Sequence, residues 1–229
     1  MKLALVTVPW DAPGEHAALV RALGRELWDH AEVTVFVERG REGRDWFGTP
    51  TQSASALVPR HFDNVLYCID DAPEHAFMVP LVRDLGGSVA LHSWSLRRLA
   101  HAAAPALAQG GWRGLRAGFD AGGVDGAREG WSRIAGASPL NRSIVRLADA
   151  FFVRDEPLRA ALLADRNAPT PIAVLPWPAT PEGDWSAVAT GLFRAFERFP
   201  APRSARKGLV SLQIRERLRS GAAESSREQ

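Results

Sequence analysis

Residues 62–92, FDNVLYCIDDAPEHAFMVPLVRDLGGSVALH, carry two carboxylates and two imidazoles at spacings that chemistry can use. Asp70 and Asp71 follow a short apolar run, Val65–Ile69, and His75 comes four residues after Asp71. His92 closes a second apolar run, Ser88–Leu91. Adjacent carboxylates can bind a metal or divide acid and base roles. A carboxylate close to a histidine can hold the imidazole in one orientation. A histidine at a strand end can donate a hydrogen bond to a ligand hydroxyl, and its pKa is easily tuned. Each group also has a structural alternative. Asp71 can cap a helix while His75 packs on the first turn, and Pro73-Glu74 is good helix-start chemistry. His92 can cap the next helix or bond a backbone carbonyl.

These groups need elements to position them. Val65–Ile69 and Ser88–Leu91 read as buried strands, with a helix starting near His75 between them. Two consecutive βα units then bring the polar side chains to one sheet edge. At the carboxyl ends of parallel strands, that edge is where ligands bind. The remaining chain repeats the alternation. Lys2–Val8 is an apolar strand ended by Pro9-Trp10. A helix over 15–29 places Leu19, Leu23 and Leu27 on one face, and Glu32–Val37 is the next strand. Residues 38–61 read as a polar link. An Ala/Leu-rich helix over 93–108 has Pro105 placed to kink it. The glycine-rich segment 109–130 reads as an irregular loop.

Ser138-Pro139 opens a helix with Leu140, Ile144 and Leu147 on one side. Ala150–Val153 and Ile172–Leu175 are short strands flanking a helix at 156–164. About six strands separated by helices predict an α/β fold: one Rossmann-like, doubly wound parallel sheet spanning 1–178. Asp184 can cap a helix from Trp185 to Phe199, within a segment 179–200 expected to pack back on that domain. Residues 201–229 read as a basic helix and a disordered tail.

Composition narrows the function classes. The chain has 229 residues, 46% of them hydrophobic, and a net charge of only +2. No Arg/Lys run is interleaved with aromatics, so a nucleic-acid groove is not expected. Cys68 is the only cysteine, which excludes a disulfide within the chain and a cysteine-based metal site. The apolar run in MKLALVTVPW is too short for a signal peptide, and the expected address is cytoplasmic. Residues 201–219 hold five Arg and Lys207 against Glu216, with Leu209, Leu212 and Leu218. Such a segment can lie on an anionic membrane face, or can simply be a solvated helix. No GxGxxG follows the first strand, and no Walker-type motif occurs, so dinucleotide and P-loop sites are not expected. A phosphoacceptor domain needs acids after the first strand, where Val8-Pro9-Trp10 supplies none.

The ordered motifs resemble a known family. They are VTVPWDAPGEHAALVRALGREL with VTVFVE, then YCIDDAPEHAFMVPLV, VALHSWSLRRL, LNRSIVRLADAFFVRDEPLRAALL and IAVLPWP. In this order, across 1–178, they resemble the N-terminal, acceptor-side domain of GT-B glycosyltransferases of the retaining, family-4 type, which use nucleotide sugars. The resemblance implies that His92 contacts the transferred sugar. It implies that Asp71 and His75 hold the acceptor or shape the cleft. It places Gly14 where the family loop approaches the donor phosphate, and Ser93 as the small residue after the histidine. The family often carries amides where this chain has Asp70-Asp71, and Glu15 beside Gly14 would repel a phosphate. No metal and no cofactor are implied.

A GT-B enzyme needs a second, donor-binding domain with two Glu spaced by seven residues. After Pro178 the chain instead passes to EGDWSAVATGLFRAFERF, similar to the family's crossing-back helix. The Glu216/Glu224 pair lies in the polar tail. The expectation is therefore a glycosyltransferase-like protein that is inactive alone, or active when a donor-domain chain joins it on a glycan or lipid-linked acceptor. The alternative is a non-catalytic module that binds a glycan or a partner in a polysaccharide pathway.

Overall fold

The computed structural model describes residues 1–43, 45–134, 136–165 and 170–199. In chain order the first elements are β1 (Lys2–Val6), α1 (Glu15–Trp28) and β2 (Glu32–Val37). Three two-residue strands follow: β3 (Asp45–Trp46), β4 (Thr49–Pro50) and β5 (Gln52–Ser53). Then come β6 (Asn64–Ile69), α2 (Met78–Leu85), β7 (Ser88–Leu91), α3 (Arg97–Ala103), α4 (Gly111–Ser132) and α5 (Arg142–Val145). The last are β8 (Ala150–Val153), α6 (Glu156–Asp165), β9 (Ile172–Val174) and α7 (Ser186–Arg198).

Seven strands form one all-parallel sheet in the order β5-β2-β1-β6-β7-β8-β9. Helices cover both faces, so the fold is α/β, Rossmann-like and doubly wound. Strand alternation divides the core in two. Leu3 and Leu5 of β1 join Leu19, Leu23 and Leu27 of α1 and Val188, Leu192 and Phe196 of α7. Ala4 and Val6 face the other way, toward Met78 and Val82 of α2, Leu99 of α3, Ile144 of α5 and Leu162 of α6. Both sheet faces are dry, which is why β1, β7 and β8 read as nearly unbroken apolar runs.

Helix α7 begins where Asp184 Oδ1 accepts the Ser186 N–H at 3.0 Å. Its apolar face lies in the same core as α1. The basic segment expected over 201–229 lies outside the described residues.

Several expectations are corrected. The polar link 38–61 contributes β5, which pairs with the end of β2, and a β3–β4 hairpin. The helix expected near His75 starts at Met78, after a 3₁₀ turn over Pro73–His75. The helix expected over 93–108 is α3 alone. Ala104 leaves helical geometry at φ −133°, ψ 76°, and a 3₁₀ turn runs over Pro105–Ala108, as the residue before a proline favours. No helix opens at Ser138-Pro139, because Leu140 sits at φ 51°, and α5 begins only at Arg142.

The glycine-rich segment is helical. Helix α4 is two arms broken at Gly123 (φ 67°, ψ −145°), folded into a hairpin. A Cβ on Gly114 would overlap the Gly130 carbonyl, and one on Gly118 would overlap the Gly126 carbonyl. Glycines at four-residue spacing put their bare backbones on the seam, and the arms touch backbone to backbone. The expectation of a loop counted glycine as a helix breaker. Here its lack of a side chain is what lets two helices meet.

Candidate functional site

The strand order reverses direction at β1 and β6: β2 and β5 lie on one side, and β7, β8 and β9 on the other. The carboxyl ends of β1, β6 and β7 therefore flank the topological switch point, where a doubly wound sheet opens a crevice. Asp70 follows β6 directly, and His92 and Ser93 follow β7. The His92 N–H donates to the Ile69 carbonyl at 3.1 Å, which locks the two strand ends together.

Across this edge the Ser93 hydroxyl donates to Asp70 Oδ1 at 2.6 Å. Burial opposes ionisation of Asp70. The Ser93 hydrogen bond and the neighbouring imidazoles of His16 and His92 outweigh it and hold the carboxyl below its ordinary range. Asp70 is thus an anion at neutral pH, oriented by Ser93.

Asp71 and His75 do not form the pair that their spacing suggests. Asp71 Oδ1 accepts the backbone N–H groups of Arg98 and Leu99, at 2.6 and 3.1 Å. It caps α3 from a distant turn, supplying an acceptor that Leu96, at the cap position of α3, does not. His75 is buried, and its Nδ1 lies 3.0 Å from the Cys68 carbonyl. A carbonyl can only accept, so Nδ1 carries the proton. Burial lowers the His75 pKa, and the Cys68 carbonyl and Asp70 partly offset it.

Sequence reasoning did not assign His16. This residue lies in the first turn of α1 and is 8% exposed. Its ring centroid is 5.1 Å from that of His75 and 5.1 Å from that of His92. Among the described residues neither of its ring nitrogens meets hydrogen-bonding geometry with a partner, nor does His92 Nδ1, although the Cys68 backbone lies close enough to favour the charged form of His16. Burial pushes the His16 pKa down to about 3, the other two histidines push the same way, and Asp70 pulls against them. The signal was present in the sequence. His16 falls on the stripe of Leu19, Val20, Leu23 and Leu27 that faces the core, and a histidine there must be buried.

His92 is half-buried, and its pKa is lowered by burial first, with Arg154 adding to that and Asp70 opposing it. Its ring also meets Trp177, centroid to centroid 6.2 Å. A cavity of about 420 Å³ opens beside it, lined by His92, Ser93, Trp94, Arg154 and Asp155. Arg154 is paired with Asp155 at 3.0 Å.

Gly14 precedes α1 at φ 105°, and a Cβ there would meet nothing within 4 Å. The position needs glycine for its backbone conformation and not for close packing. The edge therefore unites Gly14, His16, Asp70, His75, His92 and Ser93, while Asp71 turns away to α3.

Among the described residues no group of three or more His, Cys, Asp or Glu side chains is arranged to hold a metal ion. A larger cavity, about 870 Å³, lies beside the α4 hairpin, where Arg128 pairs with Asp125. At the sheet edge the buried imidazoles of His16 and His75 gather with that of His92.

These features define the class: a doubly wound α/β protein with a cluster of three histidines at the carboxyl ends of its strands and a cavity beside His92. No protein-family model matches the chain, and no curated protein matches it.

Proposed function

We propose that the chain is a glycosyltransferase-like protein retaining the acceptor-side half of a GT-B enzyme. It binds a hydroxyl-rich acceptor at the sheet edge and takes part in sugar transfer only with a donor-domain partner. The observation that carries this reading is the cluster of His16, His92 and the Asp70–Ser93 pair beside the 420 Å³ cavity. Neutral imidazoles and an oriented carboxylate match sugar hydroxyls, which both donate and accept. In this reading His92 contacts the transferred sugar, Ser93 and Asp70 fix the crevice wall, His75 supports it from beneath, and Gly14 shapes the turn before α1.

Transfer also needs positive charge or N–H donors where a nucleotide diphosphate leaves. The cation lining this cavity, Arg154, is already paired with Asp155, and Ser93 on its wall bonds Asp70, an anion. That balance favours a neutral acceptor over a phosphorylated donor, and so favours a half-site. A lipid-linked acceptor would be met at the membrane's inner face.

The test is calorimetric titration of the purified chain with UDP- and GDP-sugars and with oligosaccharides. Weak or no heat from the nucleotide sugars is expected, with glycan binding that His92→Ala reduces. Tight donor binding by the isolated monomer would sink the half-site reading.

One observation favours a second reading, a non-catalytic glycan- or partner-binding module. Asp71 is occupied in capping α3 and His75 in bonding the Cys68 carbonyl, so two of the polar groups that follow β6 serve the fold. Recovery of a donor-domain chain in a pull-down, with transfer activity that His92→Ala abolishes, separates the enzyme from the module.

A further inference from the structure

We propose that the open end of the α4 hairpin docks on an anionic lipid surface, laying Trp112, Trp131 and Ile134 into the headgroup region. This inference does not depend on the sugar-transfer reading.

The hairpin displays large apolar side chains that the fold leaves uncovered. Trp112 is 77% exposed, Ile134 72%, Val124 61% and Trp131 49%. Trp112 and Trp131 come from opposite arms and meet edge to face, centroids 5.4 Å apart. Beneath them the glycine seam of Gly114, Gly118, Gly126 and Gly130 holds the arms together through backbone contact. The aromatic pair leaves most of the Trp112 ring and about half of Trp131 open to solvent.

Charge selects the occupant. Arg113, Arg116 and Arg133 are exposed at the same open end. Of the acids in α4, Glu129 is engaged by Arg97, while Asp120 and Asp125 stand nearer the Gly123 break. Apolar and cationic groups thus gather at one end of a short amphipathic element. Tryptophan is favoured where one side of its ring system is apolar and the other wet. Arginines beside it add attraction to anionic headgroups. No helix among the described residues is long and apolar enough to cross a membrane, so the contact is interfacial.

The test is co-sedimentation of the full chain with phosphatidylcholine vesicles and with mixed phosphatidylcholine–phosphatidylglycerol vesicles. Binding to the mixed vesicles that weakens with added salt is expected. The double variant Trp112→Ala/Trp131→Ala should lose about tenfold or more in apparent affinity, with an unchanged circular dichroism spectrum. Arg113→Glu/Arg116→Glu should remove the preference for anionic lipid. Three results overturn the proposal. One is no binding to either vesicle. Another is full binding by the tryptophan variant, which would assign the contact to the basic stretch 201–219. The third is a solution dimer that the tryptophan variant dissociates, which would assign the face to a second copy of the chain.

Discussion

His16 and His92 lie ring to ring, centroids 5.1 Å apart, although one opens α1 and the other closes β7. The contact crosses the switch point of the sheet. It sets a buried imidazole against one that lines the cavity. Most of what can be tested here turns on that arrangement.

The first prediction concerns acid stability. The folded His16 pKa is about 3, against an ordinary value near 6.5. Below pH 6.5 the unfolded chain takes up a proton that the folded chain refuses until near pH 3. Stability is therefore full above pH 6.5 and falls as pH drops toward 3, by on the order of 5 kcal/mol for this one group at the acid limit. His75 and His92, also lowered, act in the same direction. His16→Leu should flatten the curve between pH 6.5 and 4 and leave neutral stability equal or higher, since it removes a polar ring from an almost fully buried position. Urea denaturation midpoints against pH read the change. A His16→Leu curve that parallels the wild type would refute the buried, neutral state of His16.

Ser93→Ala should raise the Asp70 pKa, because the hydroxyl that favours the carboxylate is gone while the burial remains. The stability cost at pH 7 should be about 1 kcal/mol. Carboxyl-carbon NMR titration of Asp70 shows the direction directly, and an unchanged or lower value contradicts the Ser93–Asp70 bond.

Asp71 should behave as a cap and not as a ligand group. Asp71→Ala should cost about 1 kcal/mol by leaving the Arg98 and Leu99 N–H groups without their acceptor. Asp71→Asn, which keeps an oxygen acceptor, should retain most of that stability. Glycan binding should survive Asp71→Asn. If it is lost while the thermal midpoint holds, Asp71 touches the ligand.

Gly118→Ala tests the hairpin seam. On an isolated helix alanine is favoured over glycine by about 1 kcal/mol. In this hairpin the added methyl overlaps the Gly126 carbonyl, so the arms must separate. A loss of about 2 kcal/mol is expected, of the size seen for overpacked sites. A thermal midpoint raised by Gly118→Ala would mean that the arms do not meet there.

The sheet was legible in the chain because its strands are buried on both faces. Uninterrupted runs such as LALV and AFFV identify parallel strands without any knowledge of their neighbours. Strand β5 left no such trace. It pairs through two residues, Gln52 and Ser53, too few to show a period. The strand ends bearing Asp70 and His92 followed from the strands themselves. The partnerships of Asp71 and His75 did not, because each bonds a backbone group brought near by the fold: the start of α3 for one, the Cys68 carbonyl for the other.

The sequence by itself determined that the chain alternates strands and helices, that the sheet is parallel, and that Asp70, Ser93 and His92 stand at its carboxyl edge. Side-chain period and strand burial are local properties, written in neighbouring residues. The tertiary structure alone decided that His16 joins His75 and His92, that Asp71 caps α3, and that a glycine-rich segment is a helical hairpin displaying two tryptophans. Each of these depends on which backbone or ring comes within contact distance from far along the chain, and no local pattern encodes that distance.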